Sequence, residues 1–336
     1  MIEDLDPPSF QFGRDREERG REREREPSFL PDPDDLLDFG EPEEGERERI
    51  ADLQIDSGYQ SIRSGWRRFL PEMSETTARV VVAIPWVLVA IAIVGIGGDV
   101  FALAMVALGI LGLREFFRMA QSIHPIVLPG YATVAGMVLA ARFGDSFQIL
   151  LVFAALIPVA FVFAAVRRSH ELITTSIAFT VLGVAWMGLG FSHAVLLRDL
   201  PLHGGALLID VLVATFLSDT AAYGAGRLFG TRRITPRISP NKTLEGLIGG
   251  LIGGTLGFWF AGLYQDWLPG IDALLIGMCI AVIAPVGDLF ASMLKRDLGV
   301  KDTGRLFGPH GGLIDRLDAV LFTVVAGYYL SVAFVY

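Results

Sequence analysis

The chain has 336 residues, of which 52% are hydrophobic and 19% are charged, and its formal net charge is −9. A mean hydropathy of +0.50 and recurring long apolar runs after about residue 79 exclude an ordinary soluble domain and predict a polytopic membrane protein. The negative charge belongs to the first part of the chain. Residues 1–76 hold 11 basic and 22 acidic side chains, whereas the remainder holds 17 and 15.

Residues 1–76 are predicted to be a disordered, charged cytoplasmic tail. The stretches RDREERGREREREPSF and PDPDDLLDFGEPEEGERERI combine high charge with Pro and Gly and contain few large apolar side chains. Such a composition cannot bury enough apolar surface to offset the entropy lost on folding. We expect the tail to take no part in the chemistry. A short salt-bridged helix in its Arg/Glu run and a membrane-surface or partner-binding role remain as alternatives, although the acidic excess argues against binding to anionic lipid.

Residues 77–336 are predicted to form an all-α membrane domain with about nine transmembrane helices. The apolar spans centre on residues 80–97, 100–116, 124–141, 147–166, 172–196, 206–226, 244–264, 271–291 and 313–334. With the N-terminus inside, eighteen Lys and Arg side chains fall on the cytoplasmic side and only Arg142 and Arg198 on the other. This positive-inside bias predicts that the C-terminus lies outside and that both polar motifs described below face the cytoplasm. We expect the membrane to be a bacterial inner or plasma membrane.

The seventh span, TLEGLIGGLIGGTLGFWFAGL, carries glycines at four-residue spacing on two adjacent lines. The two lines are Gly246, Gly250 and Gly254, and Gly249, Gly253 and Gly257. Small residues at this spacing let the backbones of two helices approach closely. We therefore expect this face to pack against another helix.

A charged, glycine-rich stretch, SMLKRDLGVKDTGRLFGPHGGLIDRLD, separates the last two spans. Helical spacing places Asp288, Ser292 and Lys295 on one face of the eighth span, with Arg296 beside them. The ninth span opens with Asp315 and Asp318 on one face. Charges in apolar spans are costly and usually functional, and three converging carboxylates predict a hard divalent cation, most plausibly Mg²⁺.

The same stretch carries more positive charge than three carboxylates need. The cations are Lys295, Arg296, Lys301, Arg305 and Arg316. Together with Mg²⁺ they predict a phosphate-bearing ligand. Gly308, Pro309, Gly311 and Gly312 surround His310 in a loop whose backbone N–H groups could approach phosphate oxygens. The alternative is an interfacial loop of anchoring cations and helix-capping Asp residues.

A second polar motif, FLSDTAAYGAGRLFGTRRITPRISPNKTLEGLIGG, runs from Phe216 to Gly250. Its sixth-span face carries Asp219, Tyr223 and Arg227. Ser239 and Pro240 suit the N-cap and first position of the next helix, which places Lys242 and Thr243 in a first turn that favours phosphate. Arg232, Arg233 and Arg237 are more simply interpreted as anchors at the lipid head groups.

These two motifs resemble those of phosphatidate cytidylyltransferases, also called CDP-diacylglycerol synthases. Fourteen positions of S-x-x-K-R-x4-K-D-x-G-x-x-F-G-x-H-G-G-x-x-D-R-x-D match between Ser292 and Asp318. The run SDTAAYGAGRLFG…ISPNKTLEG is similar to the family's other motif. The resemblance is firm over residues 205–336 and rests on span number alone over 80–204. Ala221 and Asn241 depart from the family, which often has Gly and Lys there.

The resemblance implies the reaction of CTP with phosphatidate to give CDP-diacylglycerol and pyrophosphate. It implies that Mg²⁺, with room for a second cation, is held by Asp288, Asp315 and Asp318. It implies catalytic roles for Lys295, Arg296, Lys301, Asp302, His310 and Arg316, with His310 as a positioner before a base. It implies substrate binding by Ser218, Asp219, Arg227, Lys242, Thr243, Glu245, Ser292, Gly311 and Gly312.

Two other function classes compete with this reading. A transporter would place charges near mid-span and show related broken helices, whereas these charges cluster at span ends. An enzyme that uses CTP on another lipid, such as a prenol kinase, would share the chemistry and should lack the full signature. The expected partners are CTP, phosphatidate and membrane lipid, with no nucleic acid. A homodimer is compatible with the sequence but is not indicated by any motif.

Overall fold

The computed structural model describes residues 87–166, 173–300, 302–304 and 311–336, so the predicted tail lies outside the described residues. Nine α-helices are present in these ranges, together with one short 3₁₀-helix at Gln121–Ile123. The α-helices are α1 (Val87–Ile96), α2 (Gly98–Met119), α3 (Val127–Phe143), α4 (Ser146–Val166), α5 (Ile173–Arg198), α6 (Gly204–Phe229), α7 (Leu244–Gly262), α8 (Gly270–Asp297) and α9 (Ile314–Phe334). Within this part of the chain, seven are long and apolar enough to cross a membrane, and α1 and α3 are shorter apolar helices. The prediction of an all-α polytopic fold is confirmed.

Helix boundaries follow local chemistry. Gly97 and Gly98 both have positive φ, 66° and 54°, and separate α1 from α2. Asp145 caps α4, because its Oδ1 accepts from the backbone N–H of Phe147 at 2.8 Å while Gln148 Oε1 accepts from the N–H of Asp145 at 2.7 Å. This reciprocal capping satisfies backbone donors that the first turn leaves unpaired. Pro269 precedes α8, where its fixed φ suits a helix entry.

The glycine-lined face of α7 packs directly on α6, as predicted. A Cβ atom added at Gly253 would lie 2.3 Å from the Cβ of Ala221, and one at Gly249 would lie 2.4 Å from the Cβ of Ala225. Both distances are far shorter than van der Waals contact, so only glycine allows this approach. The close packing fixes the start of α7 against the end of α6.

A short antiparallel hairpin links α6 to α7. Its strands are β1 (Arg233–Thr235) and β2 (Ser239–Thr243). The prediction that Ser239 and Pro240 begin the next helix is therefore wrong. Thr243 is the N-cap instead, and its hydroxyl oxygen accepts from the N–H of Gly246 at 3.2 Å. Strand pairing accounts for the shift, since the N–H of Leu244 donates to the carbonyl of Arg232 at 2.8 Å, which holds the preceding residues extended.

Ion pairs tie together the end of the bundle formed by the start of α2 and the ends of α3 and α5. Arg142 Nε lies 2.8 Å from Asp99 Oδ1, and its Nη1 lies 3.3 Å from Asp199 Oδ2. Arg198 donates from Nη2 to the carbonyl of Gly95 at 3.2 Å. Arg142 and Arg198 are the two cations that the charge pattern assigned to the outer side. They lie at the opposite end of α2 from the polar motifs described next.

Candidate active site

Both polar motifs meet at one end of the helix bundle. Lys242, on strand β2, extends its Nζ to within 2.7 Å of Asp288 Oδ2 on α8. Nearby, Arg296 Nε donates to the carbonyl of Ile238 in the hairpin at 3.4 Å. The hairpin is thus attached to the last three turns of α8. Residues that the sequence placed in separate motifs form one site.

Asp315 is the most extensively bonded carboxylate of this site. Lys295 Nζ donates to its Oδ1 at 2.8 Å. Its Oδ2 accepts from the N–H and the hydroxyl of Thr303, each at 3.0 Å, and from the N–H of Gly312 at 3.1 Å. The Lys295 and Asp315 side chains are only 15% and 13% exposed. Gly311 adopts φ of +84°, and a Cβ there would lie 3.0 Å from Asp315 Oδ2, so the turn requires glycine.

Three further carboxylates lie within electrostatic range of one another: Asp219 on α6, Asp288 on α8 and Asp318 on α9. Ser292 Oγ donates to Asp288 Oδ1 at 3.4 Å, and Asp318 Oδ1 accepts from the N–H of Ala319 at 2.8 Å. Like charges held close together repel one another, and the Lys242 ammonium beside Asp288 offsets part of this repulsion. A cation placed among them would relieve this repulsion.

The fit of these residues to Mg²⁺ differs from one to the next. Carboxylate oxygens are the donors that Mg²⁺ prefers, and Asp288 and Asp318 share that chemistry. Asp315 has both oxygens engaged by Lys295, Thr303 and Gly312. Asp288 has its Oδ2 paired with Lys242 and its Oδ1 bonded to Ser292. Each of these two carboxylates would therefore have to exchange a donor to bind a metal. In the described ranges, no three Asp, Glu, His or Cys side chains are arranged to hold a single metal ion. The donor chemistry fits Mg²⁺, and a three-carboxylate cage is not formed.

Several residues of the Phe216–Gly250 motif make contacts that hold α6, the hairpin and α7 together. Ser218 is buried against α7, where a Cβ at Gly250 would lie 3.3 Å from its Oγ. The Glu245 carboxylate accepts from the hydroxyl of Thr231 at 2.6 Å and from its N–H at 3.0 Å, which ties the hairpin to the first turn of α7. Arg227 Nη1 donates to the Tyr223 hydroxyl at 3.1 Å, which confirms their shared helical face.

Some of the remaining predicted site residues are exposed at this end of the bundle, and others lie outside the described residues. Arg296, Asp302 and Arg316 are exposed at this end of the bundle. Lys301 and His310 lie outside the described residues, and so do Arg305, Gly308 and Pro309. The predicted roles of Lys301 and His310 stay predictions.

Glu115 was missed by the sequence reasoning. It lies near the end of α2, is 7% exposed, and accepts hydrogen bonds from the N–H groups of Leu313 and Ile314 at 3.0 and 3.1 Å. The run LREFFRM contributed only its arginines to the charge count. A lone carboxylate inside an apolar span was the signal available, since such a charge is costly unless it has partners.

A model of the Cytidylyltransferase family matches residues 77–334. The chain belongs to the cytidylyltransferase family. The resemblance inferred from the two motifs is confirmed.

Two curated relatives of this cytidylyltransferase-family chain match it over nearly all of their length, and a third matches over about half. The phosphatidate cytidylyltransferase of Synechocystis sp. is 32% identical over 291 residues, which are 76% of this chain and 96% of that protein. The phosphatidate cytidylyltransferase of Bacillus subtilis is 30% identical over 275 residues, 78% of this chain and 100% of the relative. An uncharacterized protein of Escherichia coli is 35% identical over 142 residues, 41% of this chain and only 48% of that protein.

Proposed function

We propose that this cytidylyltransferase-family protein transfers CMP from CTP to phosphatidate, which gives CDP-diacylglycerol and pyrophosphate. The observation that carries the proposal is the Lys242–Asp288 ion pair of 2.7 Å, because it joins the two motifs into one charged site at a bundle end. The names of the Synechocystis and Bacillus relatives support the choice of reaction. A multi-pass membrane fold suits an enzyme whose acceptor is a lipid.

The proposed reaction needs little covalent participation by the protein. A phosphate oxygen of phosphatidate attacks the α-phosphorus of CTP, the bond between that phosphorus and the bridging oxygen breaks, and pyrophosphate leaves. A phosphomonoester is largely a dianion near neutral pH, so no strong general base is required. Two anions must be brought together, and catalysis therefore depends on positioning and charge neutralisation.

The chain's own cations suit that task. Lys242 and Lys295 are held by Asp288 and Asp315 within the site, while Arg296 and Arg316 lie exposed beside them. In our proposal these side chains bind and orient the phosphates of CTP and phosphatidate. Lys301 and His310 are proposed to contribute from the connection between α8 and α9.

We also propose Mg²⁺ as the cofactor, held by Asp288, Asp318 and Asp315. The mutual repulsion of the described carboxylates supports a cation among them. When bound, Mg²⁺ would supply Lewis-acid neutralisation of the triphosphate. Asp315 would complete the set only by giving up one of its present donors, of which Lys295 is the charged one.

We also propose an orientation in the membrane and a division of the chain into a tail and a catalytic domain. The site end of the bundle would face the cytoplasm, where CTP is present, and the Arg142–Arg198 end would lie outside. The positive-inside bias supports this orientation. Residues 77–336 would contain all of the catalytic machinery, and residues 1–76 would take no part in the reaction.

A reconstituted assay tests the proposed function. Purified protein is mixed with CTP, phosphatidate and MgCl₂, and lipid products are separated. We expect CDP-diacylglycerol and stoichiometric pyrophosphate, with each of the three components required. Diacylglycerol and a prenol serve as alternative acceptors. Transfer from CTP to the prenol instead of phosphatidate, or no nucleotide transfer by folded protein, would overturn the proposal.

A further inference from the structure

Glu115 connects the first half of the membrane domain to the start of α9. Its Oε1 accepts from the N–H of Leu313 at 3.0 Å and its Oε2 from the N–H of Ile314 at 3.1 Å. Leu313 and Glu115 are 198 residues apart in sequence. The N-terminal N–H groups of a helix lack partners within that helix. A buried side chain from α2 therefore supplies the cap that α9 does not find in its own sequence.

The same carboxylate reaches the site through Thr303. The Thr303 hydroxyl lies 3.4 Å from Glu115 Oε2 and 3.0 Å from Asp315 Oδ2, so it stands between the two carboxylates. Asp315 in turn accepts from Lys295 at 2.8 Å. Glu115, Thr303, Asp315 and Lys295 form one continuous polar chain from inside the bundle to the site.

Two glycines show how closely the surrounding backbone fits Glu115. A Cβ at Gly304 would lie 2.9 Å from Glu115 Oε1, and a Cβ at Gly312 would lie 2.6 Å from Oε2 and 2.2 Å from the Thr303 hydroxyl oxygen. The chain therefore packs against the carboxylate from both sides. A displacement of Glu115 would be transmitted to the backbone that carries Thr303 and Gly312.

This arrangement changes which groups can bind phosphate. The N–H of Gly312 donates to Asp315, and those of Leu313 and Ile314 donate to Glu115. The start of α9 is thus already occupied by carboxylates of the protein. Side-chain cations, rather than these three backbone donors, remain for the substrate phosphates.

We propose that Glu115 is a positioning residue. It acts through Thr303 and the first turn of α9 to hold Asp315 and Lys295 in place for the transfer of CMP. The effect of Glu115 on turnover rests on the proposed function, whereas its effect on the start of α9 rests on the hydrogen bonds alone. Misplacement of a catalytic group by about 1 Å can lower a rate on the order of a hundredfold. Small displacements at Glu115 should therefore be visible in turnover.

The test compares full-length Glu115→Gln, Thr303→Val, Thr303→Ser and Gly304→Ala with wild type. Glu115→Gln keeps the volume but replaces one acceptor oxygen by an NH₂ donor. Thr303→Val replaces the hydroxyl by a methyl group of similar size, whereas Thr303→Ser keeps the hydroxyl and removes only the methyl group. Gly95→Ala is the matched control for Gly304→Ala, because a Cβ at Gly95 meets nothing within 4 Å and φ there is not positive.

Three quantities are measured for each variant: turnover per folded molecule with CTP and phosphatidate, the thermal unfolding midpoint, and hydrogen exchange of the peptide beginning at Gly311. We expect Glu115→Gln and Gly304→Ala to lower turnover about ten- to a hundredfold and to speed exchange at the start of α9. Thr303→Val should lower turnover with little change in unfolding, and Thr303→Ser should recover most of it. The double variant Glu115→Gln/Thr303→Val should lose less turnover than the product of the two single fold-losses, because the two residues are in contact.

The positioning role of Glu115, its effect on α9 and the proposed function are each contradicted by a different result. Normal turnover per folded molecule in Glu115→Gln and Thr303→Val, whatever the unfolding midpoints, would show that Glu115 is purely structural and would end the inference. Unchanged exchange at the start of α9 in Glu115→Gln would remove its physical basis. Absence of CDP-diacylglycerol with wild type would overturn the proposed function, while the exchange result would still decide whether Glu115 orders α9.

Discussion

Lys242 Nζ lies 2.7 Å from Asp288 Oδ2, so a side chain from the hairpin before α7 forms an ion pair with the second half of α8. The two side chains are 24% and 38% exposed. Ion pairs between partly exposed side chains typically contribute about 1 kcal/mol or less to stability, because both side chains lose entropy when they pair. A functional role explains better than stability why these two charges meet at the junction of the motifs.

Replacing Lys242 should therefore affect activity much more than folding. We expect Lys242→Gln to lower turnover on the order of a hundredfold, since a cation that neutralises phosphate is lost, with a shift of the unfolding midpoint of only a few degrees. Lys242→Arg should retain part of the activity. Arg237→Gln, an exposed cation on the same hairpin, is the control and should be mild. Equal losses in Lys242→Gln and Arg237→Gln would contradict a specific role for Lys242.

The proposed metal ligands make a second prediction. Asp288→Ala and Asp318→Ala should each lower turnover a few hundred-fold, about 3–4 kcal/mol of transition-state stabilisation. The corresponding Asn variants should be partly rescued by higher Mg²⁺ concentration. Asp297→Ala, at the exposed end of α8, is the control and should stay near wild type. Near-normal rates and unchanged Mg²⁺ dependence in both Ala variants would show that these carboxylates hold no metal.

Asp315 should differ from Asp318 in its effect on stability. Asp315→Ala removes the partner of the largely buried Lys295 ammonium and of three further donors on Thr303 and Gly312. Leaving a buried charge without its partner costs about 3–5 kcal/mol. Asp315→Ala should therefore lower the thermal unfolding midpoint clearly more than Asp318→Ala. Equal midpoints, measured in the same detergent, would show that the Asp315 bonds are energetically unimportant.

The glycine contact between α6 and α7 predicts a stability difference between two similar substitutions. Gly253→Ala places a Cβ 2.3 Å from the Cβ of Ala221 and should force the helices apart, with a cost of about 1–3 kcal/mol. Gly224→Ala meets nothing within 4 Å and should be neutral or slightly stabilising. Thermal unfolding of both variants measures the difference. Similar midpoints would mean that the α6–α7 interface tolerates separation.

The proposed orientation is testable with cysteines at opposite ends of the bundle. In a Cys279→Ala background, a cysteine at Leu202, which is 95% exposed, should react with an impermeant thiol reagent in intact cells. A cysteine at exposed Arg232 should react only after the membrane is opened. The reverse pattern would place the site outside the cytoplasm and remove its access to CTP.

The local sequence pattern was sufficient to predict the helices and several of the faces on which their side chains lie. Each of the nine apolar spans corresponds to one of α1–α9, because the length of an apolar run limits the length of a buried helix. The Tyr223–Arg227 and Asp288–Ser292 contacts follow from helical periodicity alone. The family was also accessible from sequence, since its motifs are contiguous along the chain.

Tertiary contacts decided what those side chains do. The sequence favoured a helix start at Ser239, but strand pairing with β1 moved it to Leu244. Asp315 was predicted to be one of three similar metal ligands, yet Lys295, Thr303 and Gly312 converge on it alone. Glu115 gave only the weak signal of a lone charge in an apolar helix, because its partners lie 188 to 199 residues away. Periodicity reports neighbours within a helix, whereas the partner of a buried charge is chosen by packing between helices.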